Sequence, residues 1–265
     1  MSAFAVDLDG TLVGRDGLLP GETRAAIARS RAAGIPVLVA TGRMYRSVLP
    51  YIEQAGISEL VICYQGSVVA DPTTSEFLLH RQVELELARE AIVMLEGVGQ
   101  PPNVYVDDEL FVGTLSDYAQ GYATYQRLPV TEVGDLVAWL DRPPTKLVVI
   151  AEPDELPPTR ALLGRRFGDS IHLTTSLPWM LELSHPQGTK GAGLAFVAAH
   201  LGIPMEEIVA FGDGENDLEL LETAGFGIAV GDAHERLLEI ADWTCPGPDE
   251  LGVAGVVNAV LDLLA

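Results

Sequence analysis

Two aspartates one residue apart, Asp7 and Asp9, follow the apolar run Phe4-Ala5-Val6 and precede Gly10. Residues i and i+2 of a strand point to the same side, so a strand closing at Leu8 projects both carboxylates near its carboxyl end. Gly10 then supplies a turn where a side chain would be in the way. Two like charges held that close need a cation or a shared proton to coexist. A divalent metal is the simplest answer, because hard oxygen ligands suit Mg²⁺. A plain surface turn is the competing reading, since Asp and Gly are common turn residues. Two other apolar runs end in polar groups: residues 35–40 run into Thr41, and residues 208–211 into Asp213. In open α/β sheets, sites form outside the carboxyl ends of strands. Lys190 follows a Gly188-Thr189 bend and opens a helix. It is a cation placed to balance a phosphate or a developing charge.

The elements that must carry these residues are legible in the hydrophobic pattern. Residues 22–33 read as a helix after Pro20-Gly21 and before Gly34, and 35–40 as a strand buried on both faces. A helix at 47–54 and a strand at 60–64 follow. Strand–helix alternation of this kind predicts a Rossmann-like, doubly wound parallel α/β sheet. The pattern changes at the turn cluster Asp71-Pro72-Thr73-Thr74. Strands are expected at 77–83, 103–106, 110–112, 146–151, 171–173 and 180–183, with helices at 84–96 and 155–167. Strand pairs interleaved with helices predict a small α+β domain with a largely antiparallel sheet. From Lys190 the first style returns: helices at 191–201, 217–224, 234–240 and 255–264, and strands at 208–211 and 226–230. The expected organisation is an α/β core of residues 1–81 and 186–265, split by an inserted α+β cap domain of residues 82–185.

Composition narrows the partners. The chain has 265 residues, 48% of them hydrophobic, which supports a well-buried core. Its formal net charge of −22 argues against nucleic acid and against an anionic membrane surface. An anionic small substrate needs a local positive site from a metal, a lysine or helix amino termini. The two cysteines, Cys63 and Cys245, have no metal-binding spacing and fit a reducing cytoplasm. Asp7 comes too early for a signal peptide before it, and no apolar stretch reaches the length of a membrane span. The sequence carries no signal for an oligomeric state.

Four segments taken together resemble the haloacid dehalogenase superfamily, in its Cof-type phosphatase branch with a cap between the second and third motifs. They are Asp7-Leu8-Asp9-Gly10-Thr11-Leu12, Thr41-Gly42-Arg43, Gly188-Thr189-Lys190-Gly191 and Gly212-Asp213-Gly214-Glu215-Asn216-Asp217. The tail from Ala224 to Ala233 resembles it as well. The resemblance implies that Asp7 is the nucleophile that attacks phosphorus and becomes an aspartyl phosphate. It implies that Asp9 is the general acid and then the base. Mg²⁺ would be held by the Asp7 carboxylate, the Asp9 backbone carbonyl and the Asp213 carboxylate. Thr41 and Gly42 would hold phosphate oxygens, Lys190 would neutralise them, and Asn216 would donate another hydrogen bond. Asp217 would orient Lys190 or a metal-bound water. The chain departs from the family in one place: Gln65-Gly66 stands where Asn-Gly is frequent.

Other readings stand beside these. Thr41 could cap the following helix, and Asn216 and Asp217 could cap theirs. Arg43 could reach substrate or tie the core to the cap. Trp139 and Trp179 read as cap core rather than a substrate platform. None of the five histidines shows ligand spacing; His185, at the cap exit near Lys190, is the nearest to a site residue. The expected function is a Mg²⁺-dependent phosphatase of a small phosphorylated metabolite, with a sugar phosphate first. The alternatives are a phosphomutase of the phosphomannomutase type and a non-catalytic binder of a phosphorylated ligand.

Overall fold

The computed structural model describes residues 1–14, 16–126 and 128–264; Ala265, the last residue of the expected core, lies outside them. The chain forms two compact units. The first comprises Met1–Gly42, Val48–Leu79 and Thr189–Ala265, the second Arg43–Ser47 and His80–Gly188.

The first unit is built on a five-stranded parallel sheet. Its strand order is Trp243–Cys245, Phe226–Val230, Ile208–Gly212, Ala3–Val6, Val37–Val39. Ala3–Val6 sits between Ile208–Gly212 and Val37–Val39 and is buried along its whole length. That position explains its unbroken apolar run, because a strand covered on both faces has no solvent side to mark with polar residues. The carboxyl ends of these three strands carry Asp7, Asp213 and Thr41 in turn. The helix Lys190–Leu201 packs on the sheet through Leu194, Val197 and Ala198, all buried in one cluster with Ala5, Leu38 and Ala210.

The expected strand at 60–64 is shorter and paired differently. Val61–Cys63 joins the parallel sheet, among the described residues, through a bridge from Ile62 to Ala40. It runs antiparallel to a strand the sequence did not reveal, Val68–Asp71. The chain reverses between them through Tyr64, Gln65 and Gly66, at φ 52°, 59° and 96°. Three successive residues in the left-handed region end the strand early. The fourth motif also differs from the expected helix at 217–224: a 3₁₀ turn, Glu215–Asp217, precedes a short helix, Leu218–Thr223.

The second unit is a six-stranded sheet in the order His172–Leu177, Met180–Ser184, Lys146–Ile150, Asn103–Val106, Glu109–Val112, Val130–Glu132. All its pairings are antiparallel except the last, which is parallel. Helices Leu85–Gly97 and Leu156–Phe167 bury Ala88, Ile92, Leu95, Leu163 and Phe167 against Val104, Leu147, Val149, Leu181 and Leu183. Alternate positions of the same strands, Tyr105, Lys146 and Glu182, point to the opposite face, as period-2 geometry requires. The helices Asp117–Gln126 and Leu136–Trp139 and the strand Val130–Glu132 went unread in the sequence. The second helix is too short for a 3.6-residue period to show, and the first has a Gly in its middle and mixed polarity.

Candidate active site

The site is assembled at the carboxyl ends of the parallel strands. Asp7 directly follows Val6, and its amide donates to the Phe211 carbonyl at 3.0 Å, which continues the strand pairing by one residue. The loop after it folds tightly: the amides of Leu12 and Val13 both donate to the Leu8 carbonyl, at 3.0 and 2.8 Å. Gly10 has φ +80°, and a Cβ built on it would overlap the Asp213 carboxylate. Glycine is therefore needed twice over, for the left-handed turn and for the close approach. Thr11 fixes the other side of that carboxylate, its hydroxyl donating to Asp213 Oδ1 at 2.8 Å.

Lys190 is the first residue of its helix, which Thr189 caps by accepting the Ala192 amide at 3.2 Å. The ammonium is almost fully buried and donates to Asp7 Oδ1 and Asp217 Oδ1, both at 2.6 Å. The second oxygen of Asp217 accepts the amides of Asp213 and Gly214, at 3.1 and 2.9 Å. Asp217 thus ties Lys190 to the Asp213 loop with both of its oxygens. Oxygens of Asp7, Asp213 and Asp217 lie within 4.8 Å of one another.

Thr41 is buried, and its amide donates to the Ile62 carbonyl at 2.8 Å. Asn216 donates through Nδ2 to Gln65 Oε1 at 3.1 Å. The structure therefore brings Asp7, Asp213, Asp217 and Lys190 into one cluster and links Asn216 to the segment beside Thr41 and Gly42. Asp9 is half-buried, and its charge acts on both Asp7 and Asp213. Arg43 lies in the second unit, buried, donating to the Ser47 hydroxyl at 3.1 Å. His185 is also in that unit, and its Nδ1 accepts the Gln187 amide at 3.0 Å. Two residues with no role assigned from sequence take part, Thr11 and Gln65. Thr11 stands inside the first motif, where its spacing from the aspartates was the available signal. Gln65 was visible only as a departure from a family pattern.

The cluster is electrostatically unbalanced. Burial pushes the Asp7 carboxyl well above the ordinary carboxylate range; Lys190 pulls it back, and Asp217, Asp213 and Asp9 push it up further. Asp213 is raised to about 7, first by burial and then by Asp217, against the Thr11 hydrogen bond and Lys190. Burial alone would lower Lys190, but Asp217 and Asp7 outweigh it and hold the ammonium above its ordinary value. Four carboxylates around one ammonium leave a surplus of negative charge. The donors are all hard oxygens, and Asp213 is held against Gly10 with no room for a side chain between them. This set fits a small divalent cation such as Mg²⁺.

Residues 4–257 match the family model of haloacid dehalogenase-like hydrolases. The chain belongs to this family. Among curated members, it is 30% identical to a 5-amino-6-(5-phospho-D-ribitylamino)uracil phosphatase of Bacillus subtilis, over 98% of this chain and 97% of that one. It is 28% identical to a pyridoxal phosphate phosphatase of Escherichia coli, over 88% and 89% of the two chains. In fold it matches a HAD/COF-like hydrolase from Plasmodium vivax with a TM-score of 0.90 at 21% identity, covering 99% and 96%. This haloacid dehalogenase-like hydrolase is accordingly an enzyme of the phosphoric monoester hydrolase class.

Proposed function

We propose that the enzyme is a Mg²⁺-dependent phosphatase of a small phosphorylated metabolite, a sugar phosphate first, working through an aspartyl phosphate on Asp7. The observation that carries this reading is Lys190, clamped at 2.6 Å to both Asp7 and Asp217 beside Asp213. A buried carboxylate with a raised proton affinity is a poor nucleophile, and the lysine on Oδ1 favours its charged form. In the first step a carboxylate oxygen of Asp7 attacks phosphorus as the ester P–O bond breaks, and Asp9 gives its proton to the departing alkoxide. In the second, Asp9 takes a proton from water, and the water oxygen displaces Asp7 to release inorganic phosphate. Thr41, the Gly42 amide, Asn216 and Lys190 are the donors for the phosphoryl oxygens. Asp7, Asp213 and the Asp9 backbone carbonyl would hold the divalent cation, which supplies Lewis-acid stabilisation of charge on the phosphoryl group. Asp217, with both oxygens engaged, orients Lys190 rather than serving as a ligand.

Two relatives are phosphatases of a phosphoribitylamino-uracil and of pyridoxal phosphate, which supports a small phosphorylated molecule as substrate. We take the second unit to be the cap, expected at residues 82–185, which contributes the substrate contacts. Both cysteines are buried, in keeping with a reducing cytoplasm. The test is phosphate release from p-nitrophenyl phosphate with Mg²⁺, with chelator, and with Asp7→Asn. Release should need the cation and fall by more than about 10⁴ in the variant. Undiminished release from Asp7→Asn would overturn the reading, and a hexose phosphate returned as its isomer in place of free phosphate would make the enzyme a mutase.

A further inference from the structure

Gln65 sits where three of the four motif segments meet, although it belongs to none of them. Its own amide donates to the Thr41 carbonyl at 3.1 Å. Its side-chain Oε1 accepts Asn216 Nδ2 at 3.1 Å. Its side-chain amide packs so closely on Gly42 that a Cβ there would overlap it. The next residue, Gly66, is packed equally closely on the Thr189 carbonyl, one residue before Lys190. The Gln65 side chain is 2% exposed, so these contacts are its environment rather than a surface accident.

The backbone adds an independent observation. Gln65 holds φ 59° and ψ 20°, the left-handed conformation, directly after Tyr64 at φ 52°. Side-chain-bearing residues are disfavoured there, and glycine would fill the position without strain. A strained conformation kept at a buried site, with a polar side chain meeting the phosphate-binding loops, points to function rather than packing.

We infer that Gln65 is a positioning residue: its amide fixes Asn216 and the Thr41-Gly42 turn in the one arrangement that presents their donors to the same phosphoryl group. The length of the side chain matters. Asparagine is one methylene shorter and cannot span from this backbone to Asn216 while covering Gly42. Glutamate keeps the acceptor for Asn216 but places a carboxylate beside the donors meant for a dianion.

This inference rests on the phosphatase reading, and the experiment separates the two. Steady-state hydrolysis of p-nitrophenyl phosphate and competitive inhibition by inorganic phosphate would be measured for wild type, Gln65→Met, Gln65→Gly, Asn216→Leu and the Gln65→Met/Asn216→Leu pair. Absence of wild-type turnover removes the phosphatase reading itself. Given turnover, Gln65→Met should lower kcat/KM and phosphate affinity by about tenfold or more. Gln65→Gly should lose as much activity while remaining folded, with relief of the left-handed strain offsetting part of the lost packing. A purely structural residue would show the reverse, activity following stability. The double variant should be no worse than about twofold below the weaker single variant, since both changes break one linkage. Wild-type kinetics in Gln65→Gly, or multiplicative losses in the double variant, would overturn the inference.

Discussion

Two lysines are buried almost completely in this chain, Lys190 in the first unit and Lys146 in the second, and their surroundings differ in charge balance. Lys146 donates to Glu182 Oε2 at 2.5 Å and lies 5.0 Å from the centre of the Tyr105 ring. The other Glu182 oxygen accepts the Ser176 hydroxyl at 2.6 Å. Lys146 pairs directly with Glu182, and both oxygens of that anion are engaged. Lys190 instead meets two carboxylates directly, with Asp213 and Asp9 adding negative charge close by. In the first arrangement each charge has an opposite charge in direct contact. The second has a surplus of carboxylate that only a further cation or protons can neutralise. The ratio of charges, more than burial or pairing, therefore separates a structural ion pair from a chemical site.

The comparison can be broken at several points. Lys190→Met should lower kcat/KM for p-nitrophenyl phosphate by about 10²–10³, the range for losing one preorganised donor to a developing charge. It should also lower the melting temperature, because Asp7 and Asp217 are left buried together. Lys146→Met should destabilise the fold by about 3–5 kcal/mol, because it leaves a buried carboxylate unpaired, whereas Lys146→Met with Glu182→Leu should return close to wild-type stability. Urea unfolding of wild type and these two variants checks this. A double variant as unstable as the single one would mean that the pair is not self-contained.

A divalent cation should distinguish the regions further. Mg²⁺ at a hundredfold excess over its dissociation constant should add about 2.7 kcal/mol to stability, and Asp213→Asn should abolish the gain. The pH dependence has a definite sign. Asp213 in the fold is raised to about 7 from an ordinary 3.8, and Asp7 is raised as well. The folded protein then binds protons that the unfolded chain has released. That contribution is fully present below the ordinary carboxylate value and is lost as pH rises through about 7. Chelated protein should melt at a higher temperature at pH 6 than at pH 8, and Mg²⁺ should reverse that order. The smallest effect belongs to His80 in the second unit, whose ring meets the Thr145 hydroxyl at 2.9 Å. Burial lowers its proton affinity against a raising pull from Asp107. Stability should therefore fall as pH drops below about 6.5, more shallowly in His80→Gln, as melting curves between pH 5 and 7.5 would show.

Much of this was legible in the chain because the signals were local. The apolar runs ending in Asp7, Thr41 and Asp213 became neighbouring parallel strands, since continuous hydrophobic segments can be buried only in a doubly covered sheet. The alternation of strands and helices after residue 82 marked a different, antiparallel style. The losses have physical causes too. Val68–Asp71 was missed because its turn is built from Tyr64 and Gln65, residues that do not announce a left-handed conformation. Val130–Glu132 pairs parallel to Glu109–Val112 through a connection with weak periodicity. Asp217 and Asn216 read equally well as helix caps, because capping and site geometry use the same residue types.

By itself the sequence determined which residues could act: the aspartate pair, the lysine at a helix start, and the acidic turn after a buried strand. Residue type and spacing along one strand or one turn are enough for that. Only the tertiary structure decided how they are joined. Lys190 is 183 positions from Asp7 and 27 from Asp217, yet it contacts both at 2.6 Å. Gly10 meets Asp213 and Gln65 meets Asn216 in the same way, across more than a hundred residues. Such contacts depend on the register of separate strands and the seating of a helix on a sheet. No local pattern encodes them, because they exist only once the core has packed.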